Sequence, residues 1–480
     1  MKNISIDQFG KPLSTTIDAF YQITLRNQRV FFILDFLYKI NIFNKKESIM
    51  MNFNVVTLGC KVNQYESQAM REDLIAHGYL PSDDREKADI TILNSCTVTA
   101  VSDAKNRKLI NRLRRVNPDG IIILTGCMPQ AFPEETERFT GCDIVLGNRE
   151  RKRLIPAIEE YLSNRGRLVD IPAHISKGAQ FEPMTVSSFN EHTRAFIKIE
   201  DGSDRFCSYC IIPYARGRVR SKPVDELKRE LETLASNGYR EVVLVGINLS
   251  AYGQGEDFDL ADAVEAACSV EGIARVRLGS LEPEQMTEPL VKRLAAQEKF
   301  CPQFHLSLQS GCDATLKAMN RHYNSAEYME IVNRLRNVFD NSAMTTDVMV
   351  GFAGETEADF EASMAFVKSV GFAKVHVFPY SQRKGTKAAD APNQVDPAEK
   401  ERRAKLMGEL VSREREEFLN SQVGLTEEVL FERLRKGYLE GYTKNYTPVH
   451  VISDDHSLCG EVCKVRLVSV GDDCCMGELV

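Results

Sequence analysis

No apolar run in this sequence is long enough to cross a membrane. The one candidate, Phe31 to Phe43, is broken by Asp35 and Lys39 and falls short of the ~20 residues a bilayer span requires. No small-residue cleavage site follows it, which excludes a secretory signal. A basic surplus is also lacking. The 61 Lys and Arg face 68 Asp and Glu, for a net charge of −7, so overall charge gives no sign of a nucleic-acid partner. Without a secretory signal, the 13 cysteines of this 480-residue chain do not read as the disulfide framework of a small extracellular domain. They favour ligation of a metal or cluster by reduced thiols, and so a cytoplasmic location without membrane attachment. A hydrophobic content of 43% allows two or three ordinary cores. Residues 1–50 match nothing downstream and read as an extension of unknown role; Met50-Met51, directly before the first strand-like run, is the expected start of translation.

Three cysteines share one setting. Cys60 follows Asn54-Val55-Val56-Thr57-Leu58-Gly59, Cys96 follows Ile90-Thr91-Ile92-Leu93-Asn94-Ser95, and Cys127 follows Ile121-Ile122-Ile123-Leu124-Thr125-Gly126. Each closes an apolar, strand-like run, and strand ends are where α/β sheets place ligands. Parallel neighbours would gather the three thiols into one rim able to hold a cluster; the bland alternative is three buried structural cysteines. A second group lies at Ser203, Cys207 and Cys210. Alone, Cys207-x-x-Cys210 is half a zinc site or a redox pair. With Ser203 it becomes S-x3-C-x2-C, one sulfur short of the C-x3-C-x2-C loop that holds a 4Fe-4S cluster by three thiolates and leaves one iron free for S-adenosylmethionine. A serine hydroxyl is hard and mostly protonated, so that corner is expected to be labile. Cys142, Cys268, Cys301, Cys312, Cys459, Cys463, Cys474 and Cys475 fall in no comparable pattern, and packing accounts for them.

Alternating strand-like and helical runs give an α/β chain. Residues 51–165 read as a small parallel α/β domain, 166–193 as a linker, and 194–395 as an open barrel of six β/α units. Residues 396–421 form a connecting helix and 422–480 a small β-barrel of short strands. Asn248, Ser280, Glu282, Ser307, Gln309 and Asp347, at or near the ends of successive barrel strands, are candidates for holding a cofactor by hydrogen bonds. Basic clusters at Lys105 to Arg115, Arg149 to Arg153 and Arg216 to Lys222 are candidates for a phosphate-binding strip, against the plainer reading of solvated helix faces.

The stretch Asp201 to Arg218, with Cys207-Ser208-Tyr209-Cys210-Ile211-Ile212-Pro213-Tyr214 and Arg216-Gly217, resembles the cluster loop of the radical S-adenosylmethionine methylthiotransferases. Thr57 to Ser67, Asn94 to Thr99 and His376 to Ser381 resemble the subgroup that methylthiolates N6-threonylcarbamoyladenosine beside the anticodon of tRNA. The resemblance implies two 4Fe-4S clusters, one on Cys60, Cys96 and Cys127 and a reducing one on Cys207 and Cys210, with Ser203 at the third ligand position. It implies S-adenosylmethionine as methyl donor and radical source, a TRAM-like terminal barrel that binds tRNA, a reductant such as flavodoxin or ferredoxin, and a monomer. Ser203, and Ala353 in place of a usual proline, depart from the family pattern. Three alternatives stay open: a non-catalytic tRNA-binding paralogue without a stable reducing cluster, a methylthiotransferase of isopentenyladenosine tRNA or a ribosomal protein, and a zinc protein using Cys207 and Cys210.

Overall fold

A computed structural model describes residues 51–84, 86–149, 151–172, 179–189 and 193–480. The amino-terminal extension and its apolar stretch lie outside them. The first sheet contains β1 (Asn52–Thr57), β2 (Leu80–Pro81), β3 (Ile90–Ser95), β4 (Ile121–Gly126), β5 (Ile144–Leu146) and β6 (Leu168–Asp170), in the order β2-β1-β3-β4-β5-β6. Every pairing is parallel. Continuous apolar runs such as Ile121-Ile122-Ile123-Leu124 are stable only where both faces of a strand are covered, and β3 and β4 are buried along their whole length. Helices Lys61–Ala76 and Ala100–Val116 supply the crossovers. The second is started by Thr99, whose hydroxyl accepts from the Ser102 amide.

The segment expected to be a linker is built into the structure. Leu168–Asp170 adds the sixth strand, which is too short to show a period in sequence. Phe181, Val186 and Phe189 are buried, the last two within the core of the following domain.

That domain is the open barrel. Its strands are β7 (Arg194–Lys198), β10 (Glu241–Val245), β11 (Arg275–Leu278) continued past Gly279 as β12 (Ser280–Leu281), β13 (Gln303–Leu306), β14 (Ala343–Val350) and β15 (Lys374–Pro379). Their order is β7-β10-β11 and β12-β13-β14-β15, all parallel. Between β7 and β10, a two-residue ladder of β8 (Glu200–Asp201) and β9 (Arg220–Ser221) pinches the base of the loop carrying Cys207 and Cys210. Among the described residues no pairing joins β7 to β15, so the barrel is open on one side.

Helix Pro397–Gln422, capped by Asp396 with proline at its first position, leads to a closed barrel. It is formed by β16 (Thr426–Arg435), β17 (Tyr438–Thr443), β18 (Pro448–Ile452), β19 (Val462–Val470) and β20 (Cys475–Leu479), in the order β16-β17-β18-β20-β19. Val429, Phe431, Leu439, Val449, Val465 and Cys475 fill its core. Two buried arginines of β11 clamp it to the open barrel. Arg275 donates to the carbonyls of Tyr442 (2.9 Å) and Glu428 (2.6 Å), and Arg277 donates to that of Lys444 (2.9 Å).

Candidate functional site

The thiol rim stands at the carboxyl edge of the first sheet. β1, β3 and β4 are adjacent and in register, so the residues following Thr57, Ser95 and Gly126 are brought side by side. Close packing there demands glycine before Cys127: Gly126 has φ +96°, and a Cβ on it would meet Ser95 O at 2.5 Å. Asn63 ties the rim together by donating to Leu58 O (2.8 Å) and Ser95 O (3.1 Å), while Asn106 donates to Cys96 O (2.8 Å). Cys96 and Cys127 are buried and Cys60 is open to solvent. Burial pushes the Cys127 thiol up to about 12; Arg216 opposes this, and the neighbouring thiols of Cys96 and Cys60 reinforce it.

No three His, Cys, Asp or Glu side chains among the described residues converge as ligands of a single metal ion do. Three soft sulfurs spread around a rim suit an iron–sulfur cluster, in which each sulfur binds a different iron, better than one tetrahedral zinc.

The second group sits on the loop after β7. Gly202 (φ +93°) packs so tightly that a Cβ would be driven into the Arg218 carbonyl oxygen. Gly202→Ala is expected to cost ~2 kcal/mol or more, checked by the urea midpoint; an unchanged midpoint would refute the packing argument. Ser203 is buried, donates its amide to Gly217 O (2.9 Å), and accepts at Oγ from the Arg205 amide (3.3 Å). The Cys210 amide donates to Cys207 O (3.0 Å). Arg321 donates to Cys207 Sγ (3.3 Å) and Ser307 O (3.0 Å) and is ion-paired with Glu282. Burial, with Cys207 alongside, pushes the Cys210 thiol up to about 12 against the pull of Arg321. The donor set is two sulfurs and one hydroxyl, so it fits a three-thiolate cluster loop at two corners only.

Arg216, fully buried, joins the two groups. Its Nε faces Cys127 Sγ at 3.4 Å. Its Nη1 donates to Glu66 Oε1 (2.7 Å) and Asp201 Oδ1 (3.1 Å), and its Nη2 to Asn63 Oδ1 (2.7 Å) and Glu66 Oε2 (3.0 Å). Glu66 also pairs with Lys198 (2.8 Å) and Arg151 (2.6 Å), and Asp201 with Lys198 (2.9 Å) and Arg220 (3.2 Å). The phosphate strip expected at Arg216 to Lys222 is therefore corrected to Arg218, the one of its four cations that lies exposed. Arg216 and Lys222 are buried in ion pairs, Lys222 with Glu230, and Arg151 lies in the same interior. Lys105, Lys108 and Arg115 do lie exposed on their helix.

The six candidate cofactor residues stand as follows. Glu282 and Ser307 reach Cys207 through Arg321. Gln309, in a left-handed conformation (φ +66°), ties β14 down through Asp347 O (2.9 Å) and the Met349 amide (2.8 Å). Asn248 lines a cavity of about 570 Å³ beside Arg205 and His322. Ser280 and Asp347 line a separate one of about 290 Å³ inside the open barrel, with Lys61, Gln303, His305, Thr345, Lys374, His376 and Tyr446. Lys61, Arg321 and Tyr446 were not legible as site residues, and Arg216 was singled out only as a phosphate-binding candidate and as part of the family's loop pattern. For Lys61 the available signal was its adjacency to Cys60.

Residues 52–147 match the family model described as uncharacterized protein family UPF0004, and residues 197–367 match the radical SAM superfamily. The chain is 36% identical to the threonylcarbamoyladenosine tRNA methylthiotransferase MtaB of Bacillus subtilis, over 86% of this chain and 93% of that protein. It is also 36% identical to the protein of the same name from Chlamydia pneumoniae, over 89% and 98%. A tRNA-2-methylthio-N(6)-dimethylallyladenosine synthase of Clostridium botulinum is 32% identical over 91% and 99%. Among solved structures, the radical S-adenosylmethionine methyltransferase TsrM of Kitasatospora setae shares the fold, with a TM-score of 0.51 at 15% identity over 68% of this chain and 72% of that one.

Proposed function

Because the chain belongs to the threonylcarbamoyladenosine tRNA methylthiotransferase family, a branch of the radical S-adenosylmethionine enzymes, we propose that it methylthiolates N6-threonylcarbamoyladenosine in tRNA. The observation that carries this reading beyond similarity is Arg216, whose single guanidinium touches Cys127 of the rim and Asp201 at the base of the second loop. The thiol rim is thereby tied to the base of the loop that carries Cys207 and Cys210.

Cys60, Cys96 and Cys127 hold one 4Fe-4S cluster. Cys207 and Cys210 hold the reducing cluster, with Ser203 at its third corner. When bound, these clusters and S-adenosylmethionine supply the hydrogen abstraction, the sulfur and the methyl group. The protein's own part is placement. The ion pairs of Arg216 fix the rim against the loop, and Arg321 fixes Cys207 against Glu282 and Ser307. Asn248, Glu282, Ser307 and Gln309, at or near strand ends, are the residues that would hold S-adenosylmethionine. No helix among the described residues is long and apolar enough to cross a membrane. A cytoplasmic monomer reduced by a flavodoxin or ferredoxin completes the reading.

The test is mass spectrometry of tRNA nucleosides from cells with and without the gene. The 2-methylthio form of threonylcarbamoyladenosine should disappear with the gene. If instead the methylthio form of dimethylallyladenosine disappears, the substrate reading is wrong. Ser203 favours a second reading, an RNA-binding protein without turnover. That reading predicts tRNA binding with no change in any methylthio nucleoside.

A further inference from the structure

The 290 Å³ cavity inside the open barrel takes its walls from three parts of the chain. Lys61 reaches in from the residue after Cys60; Gln303, His305, Asp347 and His376 project from β13, β14 and β15; Tyr446 comes from the terminal barrel. Its size is that of a small-ligand site, and its charge is lopsided. Beside Lys61 stand Arg194 and Arg277, and the acid among them, Glu241, is shared by Arg277 (3.1 Å), Arg275 (3.7 Å) and Arg194 (3.8 Å). Arg194 has a second partner in Glu432 (2.5 Å). Glu241 and Glu432 thus serve three arginines beside Lys61, and the lining adds Lys374, paired with Asp473 at 3.3 Å, and Asp347. The Lys61 ammonium lies over the face of Phe196, 5.7 Å from Nζ to the ring centroid. Asp347, the carboxylate lining the cavity, is faced by His305 at 3.5 Å, and no ion pair within 4 Å joins it to Lys61. A cation in a cavity, with more cations behind it, is stabilised by an anionic guest.

The substrate assigned above carries such an anion. Its threonylcarbamoyl group ends in a carboxylate, with a hydroxyl and amide groups that neutral donors and acceptors can meet. Gln303 and His305 are already oriented by Thr345, at 2.9 and 3.1 Å. A dimethylallyl group would cover Lys61 without pairing it, at the cost of desolvating a charge. Resting on the substrate reading above, we propose that Lys61 binds the carboxylate of the threonylcarbamoyl group and is the residue by which this chain selects that adenosine over one bearing an uncharged alkyl group. Because Lys61 directly follows Cys60, the same ion pair holds the base beside the thiol rim.

The test uses the full-length, anaerobically reconstituted protein and anticodon stem-loop RNAs that differ at one adenosine. That adenosine carries threonylcarbamoyl, its uncharged carboxamide, or dimethylallyl. Fluorescence anisotropy should give about tenfold tighter binding of the carboxylate than of the carboxamide. In Lys61→Gln that ratio should fall toward one, and in Lys61→Arg most of it should return. The Arg variant also answers a folding defect in the Gln variant, which would weaken all RNAs alike. A Lys61→Gln protein that keeps the tenfold ratio overturns the proposal and leaves the substrate reading standing. Unsubstituted protein that prefers the dimethylallyl RNA overturns both.

Discussion

Ser203→Cys raises the iron held after anaerobic reconstitution to roughly eight atoms per chain, two full 4Fe-4S clusters where the unsubstituted chain keeps its second one only in part, and speeds reductive cleavage of S-adenosylmethionine. The backbone is already shaped for the exchange. Gly202 adopts the positive φ that a close approach to Arg218 requires, and the Ser203 amide is pinned to Gly217 O at 2.9 Å. Only the donor atom is wrong, since a hydroxyl already occupied by the Arg205 amide is a harder and less anionic ligand than a thiolate. The rim cluster is unaffected by the exchange, so iron and sulfide counts on Cys60→Ala with and without Ser203→Cys assign each cluster to its ligands. Two full, equally durable clusters in the unsubstituted chain would show that the serine corner suffices.

Glu66→Gln is the most damaging single substitution expected among the ion pairs. Glu66 is fully buried and receives Lys198 (2.8 Å), Arg151 (2.6 Å) and both terminal nitrogens of Arg216 (2.7 and 3.0 Å). Glutamine preserves the shape but leaves those cations with too little anion, a loss of ~3–5 kcal/mol for a broken buried pair. Urea denaturation measures it; a loss below 1 kcal/mol would mean that Asp201 and Glu182 suffice to balance the three cations. The pH profile gives an independent readout. Burial by itself would raise the Glu66 carboxyl, but Arg151, Arg216 and Lys198 outweigh it and lower it from 4.5 to about 2. A lowered carboxyl stabilises the fold fully above its unfolded value and loses that effect as pH falls from about 4.5 to about 2. The acid limb of the stability curve should therefore flatten in Glu66→Gln.

What could be read from the sequence was whatever is local. The three strand-then-cysteine runs placed Cys60, Cys96 and Cys127 at one sheet edge because strand, turn and cysteine are contiguous and the periodicity is strong. The open barrel and the terminal barrel were legible for the same reason. The joining residues were not. Lys198 and Arg216 lie 132 and 150 positions from Glu66, and in sequence each is one more charge on an apparently solvated segment; only the pairing of domains removes them from water. The cavity lined by Lys61, His305 and Tyr446 was illegible for a related reason, being assembled from three separately folded parts. The part of Arg321 was equally illegible: it lies on no strand end, yet it links Glu282 and Ser307 to Cys207.

The span of the Glu66 contacts also bears on how the chain is born. As the polypeptide leaves the ribosome, the first sheet emerges with Arg151 alone to meet Glu66 on helix Lys61–Ala76, and the carboxylate's other partners, Lys198 and then Arg216, follow only 132 and 150 residues after it. The nascent first domain is therefore provisional, waiting on the loop that bears the second pair of thiols before it can dehydrate and lock.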